Sequence, residues 1–340
     1  MREVTEEEYQ RLLDAKIREI EHEFDRYLTT VTLFYSIWSF FRKHGKFRIE
    51  IEPTLKLPDN HRITPDIVFY TPQDVILLII EYKYGIKGKE EHLVRDLKKV
   101  EKYLELASEV ILLFSNITTE GEKRKLQRII SKLDDRLIVW NALLDNEKQT
   151  ITFEKIRGEP KCKKFIEPLK KTKFKIPLRV VSSFRHSFIR EKPPEAYAAH
   201  RLWPILLTLV NHKELYYEKE VELTFEEVYE ELNEFFPPWI SHNPNIQQLK
   251  ESVVRRAIKL LEYANFIEVD WKEKLIKVRT NKRTGSDLKE FLIRKAAERE
   301  LKEKQKIRIK KKEKQPKADL TKWGVRIRKR RSKWTTATNH

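Results

Sequence analysis

The sequence predicts an α/β protein: a mixed sheet flanked by helices, then a smaller helical domain carrying a β-hairpin, then a basic tail. Three observations predict it. Apolar residues recur at helical spacing from Leu13 to Phe41, three strand-like runs follow between residues 47 and 84, and helical and strand patterns then alternate as far as residue 156.

Residues 6–43 read as one long helix or two joined ones, with Leu13, Ile17, Ile20, Phe24, Tyr27, Val31, Phe34, Trp38 and Phe41 close to the helical period. His44-Gly45 stops it, glycine suiting a left-handed cap. Residues 47–57 alternate in part, and Pro58-Asp59-Asn60 signals a turn. A second strand covers residues 63–70. Thr71-Pro72-Gln73-Asp74 then turns the chain into a third, strongly apolar strand, residues 75–84, which Gly85 and Gly88 break. A helix over 90–106, a strand over 110–114, a helix over 122–133 and a strand over 137–143 follow, and residues 151–156 suit an edge strand. The order α-β-β-β-α-β-α-β is a three-stranded meander followed by crossover units, assigned to residues 1–158.

Residues 159–195 hold five prolines in a Lys-rich background and read as a basic connector. A second domain is expected over 196–300. It has a helix over 196–210 and a helix over 224–236, whose Thr224 and Glu227 form a capping box. A third helix covers 245–263, two short strands over 266–271 and 275–280 make a hairpin, and a last helix spans about 287–304. Three helices plus a hairpin is the winged-helix order. Residues 301–340 form the basic tail, expected to be flexible.

Composition narrows the function classes. Hydrophobic residues make up 40% of the 340, enough for real cores. The single cysteine, Cys162, excludes an intramolecular disulfide framework and a Cys-cluster zinc site, and fits a reducing, cytoplasmic setting. There is no apolar stretch of membrane-spanning length, so no membrane partner is expected, and the acidic N-terminus does not resemble a signal peptide. The net charge of +18 is segregated: residues 301–340 contribute +13 and residues 161–193 contribute +9, leaving the remainder at −4. Positive charge gathered in this way is an electrostatic footprint for polyanions.

The chemistry-bearing residues gather in the three-stranded meander. Asp66 follows Pro65 at the head of an apolar strand, and the next strand reads Ile79-Ile80-Glu81-Tyr82-Lys83. Two apart on a strand, Glu81 and Lys83 face the same side, and the hairpin brings Asp66 toward Glu81. Two carboxylates and an ammonium at one edge of an apolar hairpin are expensive to desolvate unless paired or bound to metal. Two hard oxygen donors suit Mg²⁺ or Mn²⁺, which take one or two protein carboxylates and keep several waters.

Pro65-Asp66 and Glu81-Tyr82-Lys83, set after a helix and a strand and before a helix, resemble the PD-(D/E)XK, or restriction-endonuclease-like, nuclease superfamily. The resemblance covers roughly residues 6–145. It implies a core of order α-β-β-β-α-β and a metal-dependent hydrolase of phosphodiester bonds. It makes Asp66 and Glu81 metal ligands and Lys83 the catalytic lysine. Many members add an acid from the first helix, for which Glu19 and Glu23 are both candidates.

The second domain supplies candidate nucleic-acid contacts: Gln248, Arg255, Arg256 and Lys259 on the third helix, and Lys272 and Lys274 at the wing tip. Trp323 and Trp334, interleaved with arginines in the tail, suit base stacking beside backbone contact. The expectation is therefore an Mg²⁺-dependent endonuclease acting on DNA, alone, as a homodimer or with partner subunits. A nuclease fold followed by a winged helix is also similar to the strand-cleaving subunit of certain multi-subunit transposases. The competing expectations are a non-catalytic nucleic-acid-binding or assembly protein on a nuclease-fold scaffold, and RNA as substrate.

Overall fold

A computed structural model of the chain describes residues 2–44, 47–179, 192–214, 222–234, 251–279, 287–304 and 307–309. The first helix, α1 (Glu6–His44), carries Glu6, Glu7 and Glu8 in its first turn and Arg42, Lys43 and His44 in its last, matching the helix dipole at both ends. At 39 residues it runs for about 58 Å.

A seven-stranded mixed sheet packs on the second half of α1. Its strands are β2 (Arg48–Ile51), β5 (Ile67–Tyr70), β6 (Ile76–Tyr84), β7 (Glu109–Ser115), β8 (Ile138–Asp145), β9 (Thr150–Arg157) and β10 (Lys175–Pro177), in spatial order β10-β9-β8-β7-β6-β5-β2. The pairs β2–β5, β5–β6, β8–β9 and β9–β10 are antiparallel, while β6–β7 and β7–β8 are parallel. Two helices make the parallel crossovers: α2 (Glu90–Lys98), continued by a 3₁₀ segment (Lys99–Glu105), and α3 (Glu120–Ile130). Thr119 and Glu122 cap α3 reciprocally.

Both faces of the sheet are covered, so its central strands are apolar on both sides. Ile67, Phe69, Leu78, Ile80, Ile111, Leu113 and Trp140 face α1. Val68, Ile79, Val110, Leu112, Phe114 and Val139 face α2, the 3₁₀ segment and α3. On the α1 face, Phe34 meets Tyr82 edge-on at 5.7 Å, and Phe41 stacks on Phe165 with ring centroids 4.5 Å apart.

Three local expectations are revised. The run 47–57 is not one strand. Glu52 takes a left-handed φ of 48° just after β2, Pro53 follows, and Leu55–Lys56 (β3) pairs with Arg62–Ile63 (β4) as a separate small hairpin. The expected helix over 90–106 tightens to 3₁₀ after Lys98. Within the expected connector, residues 163–177 fold onto the sheet as α4 (Lys163–Lys171) and β10. There Phe165, Ile166 and Leu169 bury one face of α4, and Glu109 anchors its start by accepting the Lys161 and Cys162 N–H groups.

The remaining helices are α5 (Glu195–Glu214), α6 (Phe225–Glu234), α7 (Glu251–Tyr263) and α8 (Asp287–Arg299). With them goes a three-stranded antiparallel sheet of β11 (Glu222–Thr224), β12 (Ile267–Asp270) and β13 (Leu275–Val278), in order β11-β13-β12. The hairpin thus gains a third strand, too short to signal itself in the sequence. Thr224 and Glu227 exchange the capping-box hydrogen bonds at 3.1 and 2.8 Å. This part does not stand apart from the sheet. Phe24 and Tyr27 of α1 pack edge-on against Tyr197 of α5 at 5.2 and 4.7 Å, and one apolar core runs from α8 through α1 to the sheet. A final pair joins the two ends of the described chain, Arg2–Val4 (β1) lying parallel to Ile307–Ile309 (β14).

Candidate active site

The β5–β6 ladder positions the first carboxylate. Its last pair is Ile67 with Ile80, so Asp66 stands opposite Glu81, one step beyond. There the side chain takes over from the backbone: the Tyr82 N–H donates to Asp66 Oδ2 at 2.6 Å. The Asp66 carbonyl in turn accepts the Glu52 N–H at 2.8 Å, tying the end of β2 to the same point.

The parallel register of β6 with β7 pairs Glu81 with Leu112 and Lys83 with Phe114. Alternation puts Glu81 and Lys83 on the side of Ile79, away from α1. Lys83 Nζ donates to Glu81 Oε1 at 2.7 Å, with the Glu81 side chain 11% exposed and that of Lys83 35%. The other carboxylate oxygen, Glu81 Oε2, is buried and makes no hydrogen bond of good geometry among the described residues, the Tyr103 hydroxyl being a group that approaches the Glu81 carboxylate.

The electrostatics follow from three acids, Asp66, Glu81 and Glu52, set close together beside Lys83. Burial, then the charge of Glu81, raises Asp66 well above the ordinary carboxylate range; the Tyr82 N–H and Lys83 oppose this, and Glu52 adds to it. Burial alone would lower Lys83, but the charge and hydrogen bond of Glu81 outweigh it and raise its value, so Lys83 carries its charge at neutral pH. Tyr103, buried on the 3₁₀ segment, is raised by burial, by the charges of Glu81 and Asp66 and by its hydroxyl's approach to the Glu81 carboxylate.

A cleft of about 320 Å³ opens at this end of the sheet, lined among others by Arg26, Thr30, Glu52, Asp66, Lys83 and Lys87. Positive φ at Gly85 (65°) and Gly88 (98°) turns the chain away from β6, and Lys125 fixes that turn by donating to the Ile86 and Gly88 carbonyls at 2.8 and 2.7 Å. Lys87 Nζ lies 2.9 Å from His22 Nε2.

The structure therefore brings Asp66, Glu81 and Lys83 together. It does not bring Glu19 or Glu23 into the cleft. Glu19 pairs with Lys16 at 2.9 Å, and Glu23 lines a different cavity beside Lys192 and Arg256. From α1 it is Arg26, Thr30 and Phe34 that reach the cleft. Glu52 is the acid that sequence reasoning missed. The β2–β5 register pairs Glu50 with Val68, so Glu52, one step past Ile51, falls beside Asp66 on the same face, at 7% exposure, and its left-handed backbone ends β2 there.

A divalent cation can be tested against these donors. Among the described residues, no group of three or more His, Cys, Asp and Glu side chains is arranged to hold a metal, which argues against a zinc-type site. Mg²⁺ and Mn²⁺ ask for less: one or two carboxylates, with water filling the other positions. The two desolvated carboxylates of Asp66 and Glu81, with the Asp66 charge under-compensated and Glu81 Oε2 without a hydrogen bond of good geometry, fit that requirement.

The residues expected to contact nucleic acid differ in placement. Arg255 is exposed and paired with Glu251 at 2.7 Å. Arg256 is half-buried and donates to the Pro193 carbonyl at 3.3 Å. Spaced three after Val253 and four before Leu260, both buried, it borders the inward stripe of α7 and not its outer face. Lys259 is exposed and lies 5.5 Å from the Trp271 ring. Lys272 and Lys274 are exposed at the β12–β13 turn. Gln248 and the tail beyond residue 309 lie outside the described residues. No helix among the described residues is long and apolar enough to cross a membrane. No family model and no curated protein matches this chain.

Proposed function

We propose that the chain is a metal-dependent endonuclease of the PD-(D/E)XK type that hydrolyses phosphodiester bonds in DNA. One observation carries the reading: Asp66 and Glu81, two desolvated acids, meet where the β5–β6 ladder ends, with Lys83 on the same face. Core strands seldom carry such a group unless it binds something.

In this reading Asp66 and Glu81 hold Mg²⁺ or Mn²⁺. A cation bound there supplies Lewis-acid polarisation of a phosphoryl oxygen and lowers the pKa of a coordinated water. The chain's own groups do the rest. Glu81 fixes the Lys83 ammonium through the 2.7 Å bond, and Lys83, charged at neutral pH, orients a water or meets the charge growing on the phosphoryl oxygens. Arg26 and Lys87 at the cleft wall attract and align the substrate backbone. Tyr82 keeps Asp66 in place through its N–H.

Residues 195–278 support recruitment to DNA. Their order, helix, strand, helix, helix, strand, strand, with the first strand paired to the last, is the order of a winged helix. The exposed Lys259, Lys272 and Lys274 are cations on its surface, Lys272 lying 3.9 Å from Glu273, whereas Arg256 is held inward.

The test is cleavage of supercoiled plasmid DNA and of structured RNA, each with Mg²⁺, Mn²⁺ or EDTA. Metal-dependent conversion of plasmid to open-circular or linear form is expected. Cutting that persists in EDTA overturns the metal assignment, and cutting of RNA alone overturns the substrate. DNA binding without cutting under every condition favours the scaffold reading.

A further inference from the structure

The sheet edge remote from the cleft carries a concentration of positive charge that the hydrolytic reading leaves unused. Between residues 159 and 179 stand eight Lys and Arg against two Glu. Lys161, Lys163, Lys164, Lys171, Lys173 and Lys175 are all exposed, and none of their side chains makes an ion pair or hydrogen bond with the described residues. Of the two acids, Glu159 is already shared between Lys155 and Lys170, at 2.9 and 3.2 Å.

These lysines sit on a rigid support. Phe165, Ile166 and Leu169 bury the inner face of α4, and Ile176 buries β10 against the same core. Lys163 and Lys170, like Lys164 and Lys171, are seven residues apart and so recur along one side of the helix at about 10.5 Å. Protection of an open sheet edge from pairing accounts for Lys175 and the neighbouring Lys173. It does not account for the helix, which has no edge to protect.

The chemistry of the face selects its partner. Val75 is the exposed large hydrophobic residue among the described ones, and it is far along the chain from α4. A protein partner would need an apolar or aromatic anchor at the centre of its interface, and a membrane surface would need apolar side chains to insert. Neither is offered here, while a regular polyanion needs only spaced cations.

We propose that the outer face of α4, with the 173–175 turn, is a phosphate-backbone contact surface for duplex DNA, separate from the cleft. The choice of DNA rests on the endonuclease reading. Four strand spacings, about 19 Å, separate β10 from β6, so the face lies about six base pairs of duplex rise away from the cleft.

The experiment uses the full chain in EDTA, where binding is measured without cleavage. Fluorescence anisotropy of a labelled duplex is followed against salt for wild type, for Lys161, Lys163, Lys164 and Lys171 all changed to Gln, and for a control with Lys98, Lys102, Lys123 and Lys148 changed to Gln. The first variant is expected to lower the slope of log affinity against log salt by about 3 to 4 and to weaken binding at least about ten-fold near physiological salt, with a much smaller change in the control. An unchanged slope, or equal changes in the two variants, overturns the proposal. Wild-type protein supplies a second readout that does not depend on the variant folding: duplex DNA should protect Lys163 and Lys164 from acetylation, and unaltered acetylation overturns the proposal. Because neither readout involves cutting, a failure of the hydrolytic reading is seen separately, as a wild type that binds duplex and never cleaves it.

Discussion

Replacing Asp66 with Asn should stabilise the protein at alkaline pH, although it removes a residue from the candidate active site. The structure gives the reason. Asn keeps an oxygen that can accept the Tyr82 N–H, so the 2.6 Å hydrogen bond has a successor. What disappears is a charge facing Glu81 across the ladder. Directly opposite residues bring two carboxylates to about 5 Å, where unit charges at an effective dielectric near 20 repel by about 3 kcal/mol. Lys83 offsets part of this, leaving a gain of about 1–2 kcal/mol, or about 2–5 °C in Tm. The pH dependence has a definite sign. Folding raises Asp66 above its ordinary value of 3.8, so above that pH the folded protein holds a proton that the unfolded chain has released. Stability from this group is full below the ordinary carboxylate range and falls as pH rises through the raised value. Melting curves in EDTA should therefore coincide for wild type and Asp66→Asn at low pH and separate on raising the pH, the variant melting higher. Adding Mg²⁺ at high pH should raise the wild-type Tm and leave the variant unmoved. A variant that melts lower than wild type at high pH, or a difference that does not vary with pH, refutes the reasoning.

Further expectations concern the support of the site and the sheet. Phe165→Ala removes a ring that is 2% exposed and stacked on Phe41, and should cost about 3–5 kcal/mol in denaturant unfolding; a cost below about 1 kcal/mol would show that α4 is only loosely docked. Glu109→Ala strands the Lys161 and Cys162 N–H groups and should cost about 1–3 kcal/mol, with hydrogen exchange accelerating first in α4. Glu52→Gln removes one of the charges that raise Asp66, so the acid limb of the cleavage-rate profile should move to lower pH; an unmoved limb would detach Glu52 from the site.

The candidate centre was legible because short-range rules determine it. A period of two puts Glu81 and Lys83 on one face, and a four-residue turn folds Asp66 back beside them. The contribution of α1 was not legible in the same way. Its apolar stripe serves two partners, α5 and α8 along its first half and the sheet along its second, so the stripe alone does not say which turn faces the cleft. The answer is the stretch of Arg26 and Thr30, each about two turns beyond Glu19 and Glu23 respectively. Glu52 escaped because its place beside Asp66 depends on the register of β2 against β5, a long-range pairing that period-two alternation alone does not give. The α4–β10 unit was hidden by composition. Pro168 and the many lysines imitate a linker, while the burial of Phe165, Ile166 and Leu169 depends on a groove made by distant residues such as Phe41 and Trp140.

The most direct test of the central claim is single-turnover cleavage of an end-labelled DNA duplex in Mg²⁺, with protein in excess, by wild type, Asp66→Asn, Glu81→Gln and Lys83→Met. The account predicts metal-dependent cutting by wild type and a loss of at least about 100-fold in each variant, with circular dichroism and duplex binding retained. Cutting at the wild-type rate by any of the three variants contradicts it.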